Sequence, residues 1–577
     1  MTHVFLFILW TCVLVTCAAV CVACDEDWLE LDTPQGPVRG RKDPEANIYA
    51  FYNIPYATTP LKENKFKPAL PAPVWTKPYD AIDKRVICPQ PSFQIELMAN
   101  DLVMQEDCLI ANVFVPNTKK KNMSVVVYVH GGAFTMGYGQ AHSAKHFLEN
   151  GDIIMVNFNY RLGIHGFLCL GTEDAPGNVG MKDQVELLRW VQKNIASYGG
   201  NPNDVTIAGF SAGSASVDLL MISKLAEGLF HKVIPESGGN LAVFAIQKDP
   251  LEIAKKYAKR YNFKEVNDIY ALENFYKTAP MEWITADSFF DTYDSTFHFT
   301  PCLERETGDE AFLTESPLTI LGNRNYKKVP LLYGFANMEG LFRVWSYDTW
   351  KDKMNENFAD FLPGDLIFWN DEEKEAAAKR VKELYFGDKP IGDETILNFV
   401  DYFSDIVFKY SMLRAVEWHV EAGHNEIYFY EYTFVDKDTP VVPHTDVRGA
   451  EHCAQTAAVM DGVNMTHPEE KHVSQEYKEM KKTMREIWSN FIKTGKPVAE
   501  GSSLPAWPAT GANGTPYMSL GRKIELRHEP LMEERMRFWD DMYLKYQLEP
   551  IPPPVRKPRP GKYCPFAITN YLLKANT

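Results

Sequence analysis

Short apolar runs bounded by turn residues recur along the chain and alternate with longer segments of helical periodicity. Such runs lie at 124–129, 153–157, 205–208, 329–334 and 427–432. Between them, segments such as 183–194 place apolar residues three and four positions apart, as on one face of a helix. Buried parallel strands read as continuous apolar runs and are joined by helices, so the alternation predicts an α/β fold with a central, mostly parallel sheet flanked by helices.

Two long segments interrupt this alternation. Residues 249–328 and 358–424 are rich in Glu, Lys, Ala, Leu and aromatic residues and contain no clear strand pattern. We expect helical insertions there that cap the sheet and form the walls of a gorge leading to a buried site. No internal repeat and no Gly/Ser linker divides the chain, so one large domain is expected over 24–548, followed by a proline-rich tail at 549–577.

The first residues have the features of a secretory signal. Residues 1–23 form an apolar stretch that ends in small residues before the acidic start at Asp25. Three glycosylation sequons, at Asn122, Asn464 and Asn513, fit a secreted, extracellular glycoprotein. No later segment is long and apolar enough to span a membrane, and the C-terminus has no hydrophobic tail, so no stable membrane anchor is expected.

Charge narrows the classes of partner. The chain of 577 residues carries a formal net charge of −16 and is 45% hydrophobic, enough for a large core. Nucleic-acid binding needs a lysine- and arginine-rich surface that this balance does not provide, so nucleic acid is excluded as a partner. The sequence leaves the oligomeric state open.

The most informative motif is Gly-Phe-Ser-Ala-Gly at 209–213, directly after the apolar run 205–208 and before small, helix-compatible residues. This strand, turn and helix context is typical of a nucleophile elbow, in which Ser211 would present its hydroxyl above the sheet. The backbone N–H of Ala212 would then point at the position where an oxyanion develops.

A second motif can complete an oxyanion hole. The apolar run 124–129 continues into His130-Gly131-Gly132-Ala133, where glycines leave room for a substrate carbonyl. We assign the N–H groups of Gly132 and Ala133 as oxyanion donors beside that of Ala212.

A serine nucleophile needs a base, and that base needs an acidic partner, which in this fold follow in the order Ser, Asp/Glu, His. Glu339 and His452 each follow a predicted strand and lie in the expected order. Either residue alone would more often be an ordinary surface side chain, and His444 is a second candidate for the base. This chemistry requires no metal and no organic cofactor.

At this point the chain resembles the type-B carboxylesterases, the cholinesterase-like branch of the α/β-hydrolases, and especially the secreted insect carboxylesterases. The resemblance covers residues 36–539. Besides the elbow it rests on Glu-Asp-Cys-Leu at 106–109, Asn-Tyr-Arg-Leu-Gly at 159–163, Gly-Asn-Val-Gly-Met-Lys-Asp-Gln at 177–184 and Asn-Pro-Asn-Asp-Val-Thr at 201–206. It implies an α/β-hydrolase fold, a triad of Ser211, Glu339 and His452, a supporting hydroxyl at Ser237 and a buried Arg161–Asp183 ion pair.

Cysteines add a structural expectation. Cys88 and Cys108 bracket a short loop, and in a secreted chain we expect them to form a disulfide. The second disulfide of the family is expected to be absent, because no cysteine lies between Cys169 and Cys302. The sequence leaves open the pairing of the remaining candidates, which are Cys24, Cys169, Cys302, Cys453 and Cys564.

Departures from the family pattern bear on the substrate. Phe210 stands where the family usually has a glutamate, which replaces a carboxylate on the expected pocket floor with an apolar ring. The 88–108 loop contains no tryptophan to hold a quaternary ammonium, so choline esters are poor substrates for this pattern. Ala454 and Gln455 replace an acidic pair after His452, and Cys453 lies beside the histidine.

The sequence therefore predicts a secreted serine hydrolase that cleaves small, uncharged, lipophilic carboxylic esters, such as hormone, odorant, dietary or xenobiotic esters, through an acyl-enzyme. The alternative is a catalytically weak or inactive cholinesterase-like protein that sequesters ligands or mediates adhesion.

Overall fold

The computed structural model describes residues 27–91, 101–286, 292–305, 310–462 and 473–554. The proposed signal segment, Asn464 and most of the proline-rich tail lie outside the described residues. The strands, in chain order, are β1 Trp28–Thr33, β2 Gly36–Lys42, β3 Ile48–Pro55, β4 Tyr79–Asp80, β5 Val86–Ile87, β6 Val103–Met104, β7 Ile110–Pro116, β8 Met123–Val129, β9 His142–Ser143, β10 Ile153–Phe158, β11 Gly200–Phe210, β12 Lys232–Glu236, β13 Leu331–Ala336, β14 Ile427–Tyr432, β15 Asp461–Gly462, β16 Tyr517–Leu520 and β17 Ile524–Arg527.

Among the described residues, thirteen of these strands form one sheet, in the order β1-β2-β3-β7-β10-β8-β11-β12-β13-β14-β16-β17 with β4 beside β2. Every neighbouring pair from β10 to β16 is parallel. The pairs at both ends of this series are antiparallel. The predicted mostly parallel centre is confirmed, and each of the five predicted apolar runs overlaps one of its strands.

Alternate residues of the central strands enter two hydrophobic cores, one on each face of the sheet. On β8, Val125, Val127 and Val129 belong to one core, whereas Val126 and Tyr128 belong to the other. The strand is buried along its whole length because helices cover both faces. This two-sided burial explains why β8 reads as a continuous apolar run.

The α-helices are Lys145–Leu148, Gly163–Phe167, Val179–Asn194, Ala212–Ile222, Pro250–Arg260, Ile269–Thr278, Met281–Ile284, Pro317–Asn323, Tyr347–Glu356, Asp371–Phe386, Ile396–Ser404, Tyr410–Glu421, Ala454–Val459, Gln475–Thr494 and Glu533–Tyr546. Short 3-10 segments lie at Lys62–Asn64, Gly139–Ala141, Ile195–Tyr198, Lys224–Ala226, Glu339–Ser346, Phe358–Phe361 and Asp393–Thr395, and a π-helical segment at Asp405–Lys409. The described parts of the two insertions are helical and loop-rich, as expected. None of the helices in the described ranges combines the length and apolar character needed to cross a membrane.

Two disulfides brace the loops. Cys88–Cys108 forms as expected. Cys169 also pairs with Cys302 across 133 residues, so the chain does have a second bridge, between two cysteines whose states the sequence left open. A bridge of this span ties the segment after Gly163–Phe167 to the first helical insertion, a long-range contact that sequence spacing does not reveal.

Candidate active site

Ser211 occupies a sharp turn between β11 and the helix Ala212–Ile222. Its backbone angles, φ 54° and ψ −123°, lie in a region that a non-glycine residue rarely adopts. The Ser211 N–H donates to the Glu236 carbonyl oxygen at 2.9 Å, and the Ala215 N–H donates to the Ser211 carbonyl oxygen at 3.0 Å. These bonds hold the strained turn, so the serine lies at the N-terminal end of a helix as the elbow motif predicts.

The glycines on either side of the serine are required by close backbone approach. A Cβ on Gly213 would lie 2.2 Å from the Val129 carbonyl oxygen, and a Cβ on Gly209 would lie 2.4 Å from the Gly213 carbonyl oxygen. Any larger residue would push the elbow away from β8. The spacing of the motif therefore follows from packing as well as from the turn.

The loop after β8 presents backbone N–H groups beside the elbow. Gly132 and Ala133 both have positive φ, 109° and 56°, and a Cβ on Gly132 would lie 2.2 Å from the Met136 carbonyl oxygen. Within the described part of the chain, neither the Gly132 N–H nor the Ala133 N–H donates to an acceptor. Ala212 is the first residue of its helix, so its N–H also lacks an acceptor within the helix.

Glu339 and His452 meet in the structure. The His452 Nδ1 lies 2.5 Å from Glu339 Oε2, and the Glu339 side chain is fully buried. The other carboxylate oxygen, Oε1, accepts from the Ala336 N–H at 2.7 Å and from the Ser237 hydroxyl at 2.5 Å. The strand end at β13 and the loop before Ala454–Val459 thus bring together an acid and an imidazole that are 113 residues apart.

Gln455 extends this network. Its amide Nε2 donates to the Ser237 hydroxyl oxygen at 2.5 Å, and the Ser237 hydroxyl in turn donates to Glu339. From sequence, Gln455 was only a departure from the family's acidic pair. Its contact shows that an amide at this position fixes the direction of the Ser237 hydroxyl.

Comparisons with known proteins identify the family of the chain. The model of the Carboxylesterase family matches residues 27–539. The chain belongs to the carboxylesterase family. Esterase FE4 of Myzus persicae is 32% identical over 479 residues, which is 79% of this chain and 82% of that protein. Juvenile hormone esterase of Heliothis virescens is 29% identical over 89% of this chain and 94% of its own length.

Solved structures extend the family assignment to the fold. The crystal structure of juvenile hormone esterase from Manduca sexta, with OTFP covalently attached, superposes with a TM-score of 0.78 and 27% identity over 90% of this chain and 100% of that one. The expected α/β-hydrolase fold is therefore confirmed, and the protein is a carboxylic ester hydrolase.

A buried carboxyl group of the esterase lies near the Glu339–His452 pair. Glu236 ends β12 and accepts from Tyr430, from Thr456 Oγ1 at 2.5 Å and from Trp488 Nε1 at 3.2 Å. Burial is the main cause that raises the pKa of Glu236 to about 7, and the negative charge of Glu339 acts in the same direction. Sequence reasoning missed this residue, because β12 was not among the predicted strands and the partners of Glu236 lie far away in the chain.

Two aromatic rings of the esterase lie beside the His452 imidazole. Phe408, on the π-helical segment Asp405–Lys409, stacks on the His452 ring with centroids 4.2 Å apart and planes at 23°. Phe342 lies 5.6 Å from the same ring. Sequence analysis placed Phe408 only in a helical insertion, since a π-turn is not visible in periodicity.

Phe210 lies against two other rings of the esterase. Its ring stacks on Tyr128 at 6.1 Å and meets His142 edge-on at 5.0 Å. The Tyr128 hydroxyl and His142 Nδ1 are buried without a hydrogen-bond partner in the described part of the molecule. An apolar ring at position 210 thus lies next to polar groups that it cannot satisfy.

The remaining predicted residues occupy supporting or surface positions. Arg161 and Asp183 form a fully buried pair, with Arg161 Nη2 donating to Oδ1 at 2.6 Å and Nε donating to Oδ2 at 2.8 Å. His444, the second candidate for the base, lies with its Nδ1 3.4 Å from Asp393 Oδ2. Asn122 and Asn513 are exposed. In the described ranges, no three His, Cys, Asp or Glu side chains converge in a way that could hold a metal ion.

Proposed function

We propose that the protein is a secreted esterase that cleaves uncharged, lipophilic esters through an acyl-enzyme on Ser211. The observation that carries the proposal is the buried Glu339 carboxylate in contact with His452 Nδ1. The same carboxylate accepts from Ser237, and a Cβ on the next residue, Gly238, would lie 2.4 Å from the carbonyl oxygen of Ser211, the serine in elbow geometry. A carboxylate on Nδ1 fixes the tautomer in which the other ring nitrogen, Nε2, can accept a proton.

In the proposed reaction, the Ser211 hydroxyl oxygen attacks the ester carbonyl carbon and its proton passes to His452 Nε2. Glu339 stabilises the imidazolium that forms, and the N–H groups of Gly132, Ala133 and Ala212 stabilise the oxyanion. The tetrahedral intermediate expels the alcohol, which takes the proton from His452. A water molecule then releases the acid by the same steps. Removing one oxyanion donor costs about 3 kcal/mol in other serine hydrolases.

The apolar surroundings of the base support the proposed substrate class. The rings of Phe408 and Phe342 lie against His452 where the leaving alcohol must be protonated. Such a surface favours the desolvation of apolar groups. The names of two relatives, juvenile hormone esterases of insects, fit small-molecule substrates of this kind.

The proposal includes the processing of the chain. Residues 1–23 act as a cleaved secretory signal, residues 24–548 form the catalytic domain, and 549–577 form a tail. The family match over 27–539 supports these boundaries. Attached glycans at Asn122, Asn464 and Asn513 belong to the same proposal.

Hydrolysis of short and medium aryl esters by the secreted protein tests the reaction. We expect a burst of about one equivalent of phenol per chain, followed by steady turnover, and the loss of both in Ser211→Ala. Ser223→Ala is the matched control, because its buried hydroxyl donates to the Phe312 carbonyl oxygen away from the triad. A folded Ser211→Ala protein that retains turnover contradicts the proposal; a burst without turnover would instead identify a stoichiometric sink.

A further inference from the structure

A cavity of about 270 Å³ lies beside the loops that carry Glu339 and His452. The residues that line it are Leu341, Val344, Tyr432, Phe434, Thr439, Pro440, Val441, Val442, Pro443, Gly449, Ala450, Glu451, Ala454 and Tyr477. Neither the three proposed triad residues nor the three oxyanion donors are among them. The cavity is therefore separate from the reacting atoms.

One wall of this cavity is formed where the loop that carries Glu339 contacts the loop that carries His452. The Met338 N–H donates to the Ala450 carbonyl oxygen at 3.0 Å, and the Ala450 N–H donates to Asn337 Oδ1 at 2.9 Å. A Cβ on Gly449 would lie 2.1 Å from Met338 Sδ, so the loops are in direct contact. The 3-10 segment Glu339–Ser346 turns Phe342 towards His452, whereas Leu341 and Val344 line the cavity.

Another wall is a hairpin, residues 439–448, that is held by its own hydrogen bonds. The Val442 N–H donates to the Val447 carbonyl oxygen at 2.9 Å, and Val441 pairs with Arg448 in an isolated antiparallel bridge. Arg448 also donates to the Thr439 carbonyl oxygen. Since these bonds lie within the hairpin, the wall keeps its shape without filling the space behind it.

We propose that this cavity is a binding site for a small, neutral, mainly apolar molecule, and that its occupation stiffens the loops that carry Glu339 and His452. Its volume lies near the lower end of the roughly 300–1,000 Å³ of ligand pockets. Valine, leucine, proline and phenylalanine supply half of the fourteen lining residues, which favours an apolar occupant. The carboxylate of Glu451 in the lining disfavours an anion. The proposal does not depend on which residues carry the reaction.

Fluorescence of the full-length secreted protein with prodan, a neutral fluorophore, tests this site. We expect saturable, blue-shifted emission from one site per chain that disappears in Val442→Phe, which fills the cavity. Val441→Phe serves as a second filling variant, because Val441 is 46% exposed at the cavity and tolerates the larger ring. Val420→Phe, a half-buried valine on Tyr410–Glu421 outside the cavity, is the matched control and should bind as the wild type does.

Three outcomes overturn the proposal. The first is an absence of saturable prodan binding, which would mean that the cavity holds water and is not a ligand site. The second is binding that both filling variants retain, which places the ligand elsewhere. The third concerns the anionic probe anilinonaphthalene sulfonate. If the filling variants lose its binding as they lose that of prodan, the cavity also takes anions and is not selective for neutral molecules. Slower hydrogen exchange at residues 337–345 and 448–454 on prodan binding supports the coupling to the loops, and unchanged exchange there contradicts it.

Discussion

Each oxygen of the Glu339 carboxylate has a defined partner. Oε2 faces His452, while Oε1 accepts from Ala336 and Ser237. Together these contacts fix the orientation of the carboxylate that faces the imidazole. At the scale of single residues, the Glu339–His452 contact is therefore supported by a backbone N–H and a hydroxyl that bind the other carboxylate oxygen.

The first prediction concerns Ser237. Ser237→Ala removes a hydrogen bond to Glu339 and leaves the Gln455 amide without its acceptor. Hydrogen bonds to charged groups contribute about 1.5–3 kcal/mol, so we expect kcat to fall roughly tenfold or more. Steady-state kinetics on an aryl ester measures the change. Ser223→Ala should lose stability without losing kcat, and an unchanged kcat in Ser237→Ala would remove Ser237 from the support of the triad.

The second prediction concerns the pH dependence of stability through Glu236. Its pKa is about 7 in the folded protein, above its ordinary value of 4.5, so the folded state binds the proton more tightly. The stabilising contribution is therefore complete below about pH 4.5 and is lost as the pH rises through 7, in total about 3 kcal/mol.

Glu236→Gln removes this titration. Denaturation by urea at pH 5 and pH 8 should show that the stability of the wild type relative to the variant declines between these two values. A difference between the two proteins that is the same at both pH values would show that Glu236 does not titrate with a raised pKa.

At the scale of elements, a π-helical segment supplies the stacking partner of His452. The change from Ile396–Ser404 through Asp405–Lys409 to Tyr410–Glu421 lets Phe408 face His452. π-Turns within helices are rare and frequently lie at functional sites. Sequence periodicity cannot predict them, since one extra residue in a turn leaves the apolar pattern nearly unchanged.

The third prediction tests this element. Phe408→Leu removes an aromatic contact of about 0.5–1.5 kcal/mol with the imidazole, so we expect kcat/KM for a small acetate ester to fall by about threefold to tenfold. Phe403→Leu is the control, because its ring packs on Trp350, Phe399 and Tyr402. Equal losses in the two variants would mean that Phe408 acts only through packing.

At the scale of the whole molecule, the order of the chemical motifs and five of the seven strands in the parallel series follow from the sequence, whereas β12 and β16 do not. Buried on both faces, the parallel strands read as apolar runs, and the glycines around Ser211 and Gly132 mark close backbone approaches. The sequence did not predict the Cys169–Cys302 bridge or the contacts of Glu236. They join residues far apart in the chain, and no local pattern encodes such a pairing.

The fourth prediction concerns the buried ion pair that joins separate parts of the fold. Asp183→Asn leaves the Arg161 guanidinium buried without its charge partner, so we expect unfolding to become easier by about 3–5 kcal/mol. Asp80→Asn breaks the exposed pair with Arg39 and should cost less than about 1 kcal/mol. Chemical denaturation of both variants checks the difference, and equal losses would contradict the structural role of the buried pair.

The most direct test of the account is to trap the acyl-enzyme and locate the bound group. The secreted protein is mixed with a slowly released aryl ester, quenched in acid, digested and analysed by mass spectrometry. The account predicts an acyl group on the peptide that contains Ser211, and no such adduct in Ser211→Ala. An acyl group on another residue, or turnover without any adduct at Ser211, would contradict the proposed nucleophile.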